Sequence, residues 1–220
     1  MNFEAVLFDC DGVLVDSEPI TNGVLRDMLA ELGWTLTPDE CMRFFVGKAV
    51  RDEKATIEAR TGRPLTEDWL AGFRERRNSA LHERLTAIPD VHHAVHQLHA
   101  QHSARIACAS GADRFKVELQ LRKVGLIDYF DGRIFSGHEM PRSKPAPDVY
   151  LAAAGHLGAA ASRCLVIEDT PTGAAAGVAA GATVWGFCPS GDGEDLRAAG
   201  VQRLFSRMAD LPELVRLDSG

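Results

Sequence analysis

The stretch Ala5-Val6-Leu7-Phe8-Asp9-Cys10-Asp11-Gly12-Val13-Leu14-Val15-Asp16-Ser17-Glu18 turns from apolar to acidic within a few residues. Val6, Leu7 and Phe8 suit a parallel strand covered on both faces, which reads as an unbroken apolar run. Asp9 then falls at the strand's carboxyl end, where open α/β sheets bind their ligands. Asp11 follows two residues later, and Gly12 lets the chain turn away sharply. Two carboxylates so close repel each other unless a cation lies between them. A divalent metal ion carrying a phosphate ligand meets that need. An acidic turn after an ordinary strand is the plain alternative.

Downstream, strand and helix patterns alternate. Ala104 to Ala109, Gly132 to Phe135, Cys164 to Ile167 and Thr183 to Phe187 read as short apolar strands. Between them, Arg114 to Lys123, Pro147 to Leu157 and Pro171 to Ala180 read as helices, the first two stopped by Gly125 and Gly158. Helices of this length between strands indicate right-handed crossovers and a parallel sheet. A short helix is expected after Asp210.

The region from about Pro19 to Arg84 shows no strand pattern. Ile20, Val24, Leu25, Met28, Leu29 and Leu32 recur at helical spacing. Thr37-Pro38-Asp39-Glu40 is a helix start with a capping box. Asp52 to Arg60 reads as a further helix, and Thr66-Glu67-Asp68 opens another. The fold expected is therefore α/β: a Rossmann-like parallel-sheet core, residues 1–16 plus 85–220, with an inserted α-helical cap, residues 17–84.

Composition narrows the function. The 220 residues carry a formal net charge of -7, with 45% hydrophobic and 25% charged residues. No basic run stands out to neutralise a nucleic-acid backbone. An anionic substrate would need local help from Lys, Arg or a metal. No apolar stretch reaches the ~20 residues of a membrane span, and with no basic n-region or cleavage site ahead of the first strand, no secretory signal is expected. The five cysteines show no C-x-x-C spacing, which suits buried, reduced thiols in a cytoplasmic protein. His92, His96 and His99 share one helix face at metal-binding spacing, but Val91, Ala94, Val95 and Leu98 are the core stripe. The histidines therefore read as a solvated outer face.

Parallel strands bring their carboxyl ends to one side of the sheet. Asp9 and Asp11, Ser110, and Glu168-Asp169 thus converge, and Lys144 stands just ahead of a helix, where a cation can support an anion. Singly, each has an ordinary reading: a turn serine, a solvated lysine, an acidic loop.

Their order decides otherwise. Asp9-Cys10-Asp11-Gly12-Val13 resembles the first motif of the haloacid dehalogenase-like phosphohydrolases. Ser110 resembles the second motif. Lys144 in Lys144-Pro145-Ala146-Pro147-Asp148 resembles the third, and Glu168-Asp169-Thr170-Pro171-Thr172-Gly173 the fourth. The resemblance implies that Asp9 is the nucleophile, forming an aspartyl-phosphate. Asp11 would protonate the leaving alcohol and later deprotonate water. Mg²⁺ would be held by the Asp9 carboxylate, the Asp11 backbone carbonyl and the Asp169 carboxylate, with Glu168 either a ligand or an acceptor behind them. Ser110, Gly111 and Lys144 would hold the phosphoryl group.

The insert's position between the first two motifs is similar to the family's C1 cap. In that cap, Gly47-Lys48-Ala49-Val50-Arg51 would be the loop selecting the substrate, with Gly47 allowing close approach and Lys48 and Arg51 binding an anion. As plain sequence it is a helix start with solvated charges. Dehalogenases lack the second aspartate of D-x-D, and Asp11 is present here; the phosphonate-cleaving branch also lacks it but uses a cap lysine close to the place of Lys48, so that branch is weakened and not removed. The β-phosphoglucomutases share D-x-D-G and this cap, but carry a cap histidine where this chain has Thr21, and a G-x-S-R loop where it has Ala49 and Val50. Hydrolysis is favoured. The branch of bacterial 6-phosphogluconate phosphatases resembles the chain further in Phe135-Ser136-Gly137, Arg142 to Pro145, Phe187-Cys188 and Leu211-Pro212-Glu213-Leu214. The expected partner is a small phosphorylated metabolite, with no nucleic acid and no membrane, and the chain a monomer or weak homodimer. A non-catalytic sugar-phosphate-binding protein on the same fold would be expected to lose Asp9 or Asp11.

Overall fold

The computed structural model describes residues 3–46 and 48–218. Gly47 lies outside the described residues. The chain divides into two compact units, residues 1–15 with 87–220, and residues 16–86.

The larger unit is built on a parallel sheet. Its strands are β1 (Ala5–Phe8), β2 (Ile106–Ser110), β3 (Ile134–Ser136), β4 (Cys164–Glu168), β5 (Thr183–Phe187) and β6 (Arg203–Phe205), in the order β3-β2-β1-β4-β5-β6. All neighbouring pairs are parallel, with Phe8 opposite Cys108 on one side and Ile167 on the other. The order runs outward in both directions from β1 and β4. That reversal opens a crevice at the strands' carboxyl ends. β1 is buried along its whole length, as a strand covered on both faces must be.

Small residues let the helices approach the sheet closely. Ala5, Leu7, Ala107, Ala109 and Val166 pack with Val149, Ala153, Ala174 and Ala176. A side chain at Gly177 would meet Val184 and Val166. On the way out of β1 the chain makes a tight turn: Gly12 has φ +78 and its N–H donates to the Val15 carbonyl (2.8 Å). Val15 then bridges to Ala87.

The smaller unit contains α1 (Glu18–Glu31), α2 (Pro38–Phe45), α3 (Lys54–Thr61) and α4 (Glu67–Arg84). It has a core of its own, with Leu25, Leu29, Phe45, Ile57, Leu70 and Phe73 buried together. The capping box at α2 forms: Glu40 N–H donates to Thr37 Oγ1 (3.2 Å), and Thr37 N–H to Glu40 Oε2 (2.8 Å).

The larger unit continues with α5 (Val91–Gln101), α6 (Arg114–Lys123), α7 (Asp148–His156), α8 (Pro171–Ala179), α9 (Glu194–Ala198) and α10 (Leu211–Asp218). The inner stripe of α5 is buried, while His92, His93 and His96 are exposed. His92 Nε2 lies 2.6 Å from the Val124 carbonyl, and His96 and His99 meet the Tyr129 ring edge-on. Cys10, Cys41, Cys108 and Cys164 are buried free thiols, and Cys188 is half-buried. Among the described residues no helix is long and apolar enough to cross a membrane.

Candidate active site

The carboxyl ends of β1 and β4 lie side by side, and the acidic residues that follow them meet. The Asp9 N–H donates to the Ile167 carbonyl (3.0 Å), which continues the β1–β4 ladder and sets Asp9 beside Glu168. Asp9, Glu168 and Asp169 bring carboxylate oxygens within 4.8 Å of one another. Among the described residues this is the one group of three or more His, Cys, Asp or Glu side chains with metal-binding spacing. The histidines of α5 do not form such a group.

Lys144 enters from the segment ahead of α7. Its Nζ donates to Asp9 Oδ1 (2.7 Å), Glu168 Oε1 (2.6 Å) and Tyr150 Oη (2.9 Å), and Tyr150 Oη donates to Glu168 Oε1 (2.6 Å). The side chains of Lys144, Asp9 and Glu168 are 7%, 9% and 1% exposed. Charges so deeply buried persist only when paired and hydrogen-bonded. Burial pushes the Asp9 carboxyl up to about 7; Lys144 pulls the other way, and the charges of Glu168 and Asp11 add to the rise. Burial disfavours the ammonium of Lys144, but Asp9 and Glu168 together hold it well above its ordinary value. Lys144 bonds two carboxylates, Asp9 and Glu168, and Asp169 stands beside them, a grouping that suits a further cation.

The donor set fits a small hard cation. All three side chains offer oxygen, the ligand Mg²⁺ prefers. The backbone also makes room for it. A side chain at Gly12 would strike the Asp169 carboxylate, so only glycine lets Asp169 reach the Asp11–Gly12 turn. A side chain at Gly173 would likewise strike Glu168. Glu168 is further held by the Thr170 hydroxyl (3.2 Å) and the Asp169 N–H (3.2 Å).

Ser110 ends β2 and is buried. Its Oγ accepts from the Ala112 N–H (3.1 Å), so the hydroxyl proton can donate elsewhere. At Gly111 a Cβ would meet nothing within 4 Å, leaving open space beside Ser110.

Asp11 is engaged by α6. Lys116 Nζ lies 2.8 Å from Asp11 Oδ1 and 2.9 Å from Oδ2, and Gln120 Nε2 donates to Oδ1 (2.7 Å). Sequence reasoning did not single out Lys116, Gln120 or Tyr150. The pattern of α6 does not mark the first two as buried; the structure does. Lys116 and Gln120 stand one turn apart, next to the buried Val117 and Leu121, and a long polar side chain on a buried face needs a polar partner.

Lys48 and Arg51 belong to the helical unit, and each has an acidic neighbour there. Lys48 Nζ is 3.2 Å from Glu53 Oε1, and Arg51 Nη2 is 2.9 Å from Glu67 Oε2. The Arg51 pair is exposed and the Lys48 pair half-exposed, and such contacts near the surface are weak and exchangeable.

A family model described as haloacid dehalogenase-like hydrolase matches residues 3–181. The 6-phosphogluconate phosphatase of Escherichia coli is 29% identical over 212 residues, 96% of this chain and 94% of that protein. A haloacid dehalogenase-like protein of Agrobacterium tumefaciens superposes with a TM-score of 0.85 at 30% identity, covering 100% of both chains. A HAD-family hydrolase of Deinococcus radiodurans, solved with bound phosphate and sodium, gives a TM-score of 0.79 at 35% identity over 99% of this chain and 97% of its own.

Proposed function

The chain belongs to the haloacid dehalogenase-like hydrolases, and from that premise we propose that it is a Mg²⁺-dependent phosphomonoesterase acting on a sugar or sugar-acid phosphate. The observation that carries this reading is the bridge made by Lys144 between Asp9 and Glu168, beside Asp169, at the switch point of the sheet.

In this reading Asp9 attacks phosphorus and becomes the aspartyl-phosphate. Asp11 gives its proton to the leaving oxygen as the P–O bond breaks, then takes a proton from the water that hydrolyses the intermediate. Lys144 and the Ser110 hydroxyl hold phosphoryl oxygens, and the open space at Gly111 admits the group. Asp9, Asp169, the Asp11 carbonyl and Glu168 would hold Mg²⁺. When bound, that ion supplies charge neutralisation at the phosphoryl oxygens and at the crowded carboxylates. Residues 16–86 would act as the cap, with Lys48 and Arg51 turning to a second negative group on the substrate.

The substrate class draws support from the Escherichia coli relative, whose name specifies 6-phosphogluconate, and from the phosphate bound in the Deinococcus radiodurans structure. A screen of phosphorylated metabolites for phosphate release, with Mg²⁺ or with EDTA, tests it. Release of phosphate from sugar-acid phosphates only in the presence of Mg²⁺ is expected. Turnover undiminished by EDTA, or by Asp9→Asn, would refute the proposed chemistry.

A further inference from the structure

We propose that Lys116 and Gln120 are positioning residues for Asp11: they set the direction in which its carboxyl group is presented to the leaving oxygen. The proposal rests on the phosphatase reading above.

The D-x-D turn places its two carboxylates against two different lysines. Lys144 serves Asp9. Lys116 serves Asp11, reaching both of its oxygens, while Gln120 donates to Oδ1. Lys116 is 6% exposed and Gln120 0%. Burying an ammonium costs several kcal/mol unless a counter-charge meets it. The core gains nothing from a lysine here that a leucine would not supply, so the polar pair on this face of α6 calls for another explanation.

The holders are themselves held. The Lys116 N–H donates to Asp113 Oδ1 (2.9 Å), which pins the first turn of α6. Gln120 Oε1 faces the Cys10 thiol (3.5 Å), which turns its amide NH₂ towards Asp11. Lys116 and Gln120 at i and i+4 share a helix face, so both donors reach Asp11 from the same side.

The consequence for the reaction follows from proton geometry. A general acid must lie within about 2.6–3.2 Å of the oxygen it protonates. Asp11 sits in the tight turn at Gly12, where the backbone is fixed but does not by itself choose the side-chain rotamer. Two donors from a rigid helix do. As the proton passes from Asp11 to the leaving oxygen, the electron pair of the breaking P–O bond goes to that oxygen, and negative charge appears on Asp11. Lys116 and Gln120 hold the carboxyl group in the one orientation from which that transfer can occur.

The test is leaving-group dependence. kcat/KM is measured on para-substituted phenyl phosphates, from p-nitrophenyl phosphate, whose leaving group needs little protonation, to p-methoxyphenyl phosphate, which needs more. Wild type, Lys116→Met, Gln120→Leu and Lys116→Arg are compared, with melting curves for each. For Lys116→Met the loss on p-methoxyphenyl phosphate should exceed the loss on p-nitrophenyl phosphate by roughly tenfold, part of the ~10²–10⁴ a placed acid contributes. Gln120→Leu should tilt the series the same way by less, and Lys116→Arg should restore much of the wild-type slope. If Lys116→Met does not fold, the slope of Gln120→Leu decides. Equal losses along the series, or none, in a folded variant would overturn the proposal, because a merely structural change lowers all esters alike. A wild-type protein that releases phosphate from none of these esters would instead refute the phosphatase reading.

Discussion

Lys144→Met removes one charge and keeps most of the side chain's volume, which makes it an incisive perturbation of the site. The ammonium lies 2.7 Å from Asp9 and 2.6 Å from Glu168. At an effective dielectric of about 20, each contact is worth about 6 kcal/mol of attraction, before the cost of burial is subtracted. Removing one partner of a buried pair leaves the other charge uncompensated and costs about 3–5 kcal/mol. Here two carboxylates are left, with Asp169 beside them. In a chain of this size each kcal/mol moves the melting midpoint by about 2–4 °C, so a fall of about 6–20 °C is expected. The penalty should depend on pH with a definite sign. Asp9 has its carboxyl raised from 3.8 to about 7, so the folded state binds more protons than the unfolded state between those values. Stability attached to that group therefore falls as pH rises through the window. Without Lys144 the rise is unopposed. The cost of Lys144→Met should be largest at pH 8 and shrink towards pH 5, where Asp9 takes a proton. Thermal unfolding in EDTA at both pH values measures it. A midpoint within 2 °C of wild type at pH 8 would refute the claim that this ammonium compensates the buried carboxylates.

Further outcomes follow from the same geometry. Mg²⁺ should raise the melting midpoint more at pH 8 than at pH 5, because its ligands must be ionised to bind it; an equal rise at both would remove Asp9 from the ligand set. Lys48→Ala and Arg51→Ala should each weaken kcat/KM on a sugar-acid phosphate by ~1–3 kcal/mol, the range for a charge-assisted hydrogen bond, and change hydrolysis of a small neutral-tailed ester much less. Equal losses on both would make the turn structural. A β-hexose 1-phosphate should be hydrolysed slowly or not at all and never isomerised, since Thr21 cannot handle a proton as histidine does; hexose 6-phosphate formed faster than free phosphate would contradict this.

The sheet was legible because its strands are buried on both faces and read as unbroken apolar runs, punctuated by the residues that end them. β1, β2, β4 and β5 have this form. β6 does not: Arg203-Leu204-Phe205 is a three-residue edge strand with a half-exposed start, too short for any period to show. The meeting of Asp9 with Glu168 and Asp169 was readable because parallel topology brings strand ends together; Lys144 arrives from ahead of α7, where only its place before a helix could be read. Lys116 and Gln120 were hidden for a different reason. α6 is polar around much of its circumference, with Arg114, Glu118, Arg122 and Lys123 beside them, so its buried face is chosen by packing rather than by pattern. Tyr150 reads as an ordinary core aromatic; only the approach of α7 to β4 gives its hydroxyl a partner in Glu168. The acidic partner of Arg51 escaped notice because Glu67 arrives from the start of α4, 16 residues later.

The central claim is that the phosphoryl group passes through Asp9, and the most direct measurement of it is chemical trapping during turnover. An aspartyl-phosphate is reduced by borohydride to homoserine, which peptide mass analysis assigns to a position. Quenching the working enzyme into borohydride should convert residue 9, and no other aspartate, to homoserine, and should convert nothing when substrate is withheld. Phosphate release from an active enzyme with Asp9 recovered unmodified, or with the reduced residue at another position, would contradict the account.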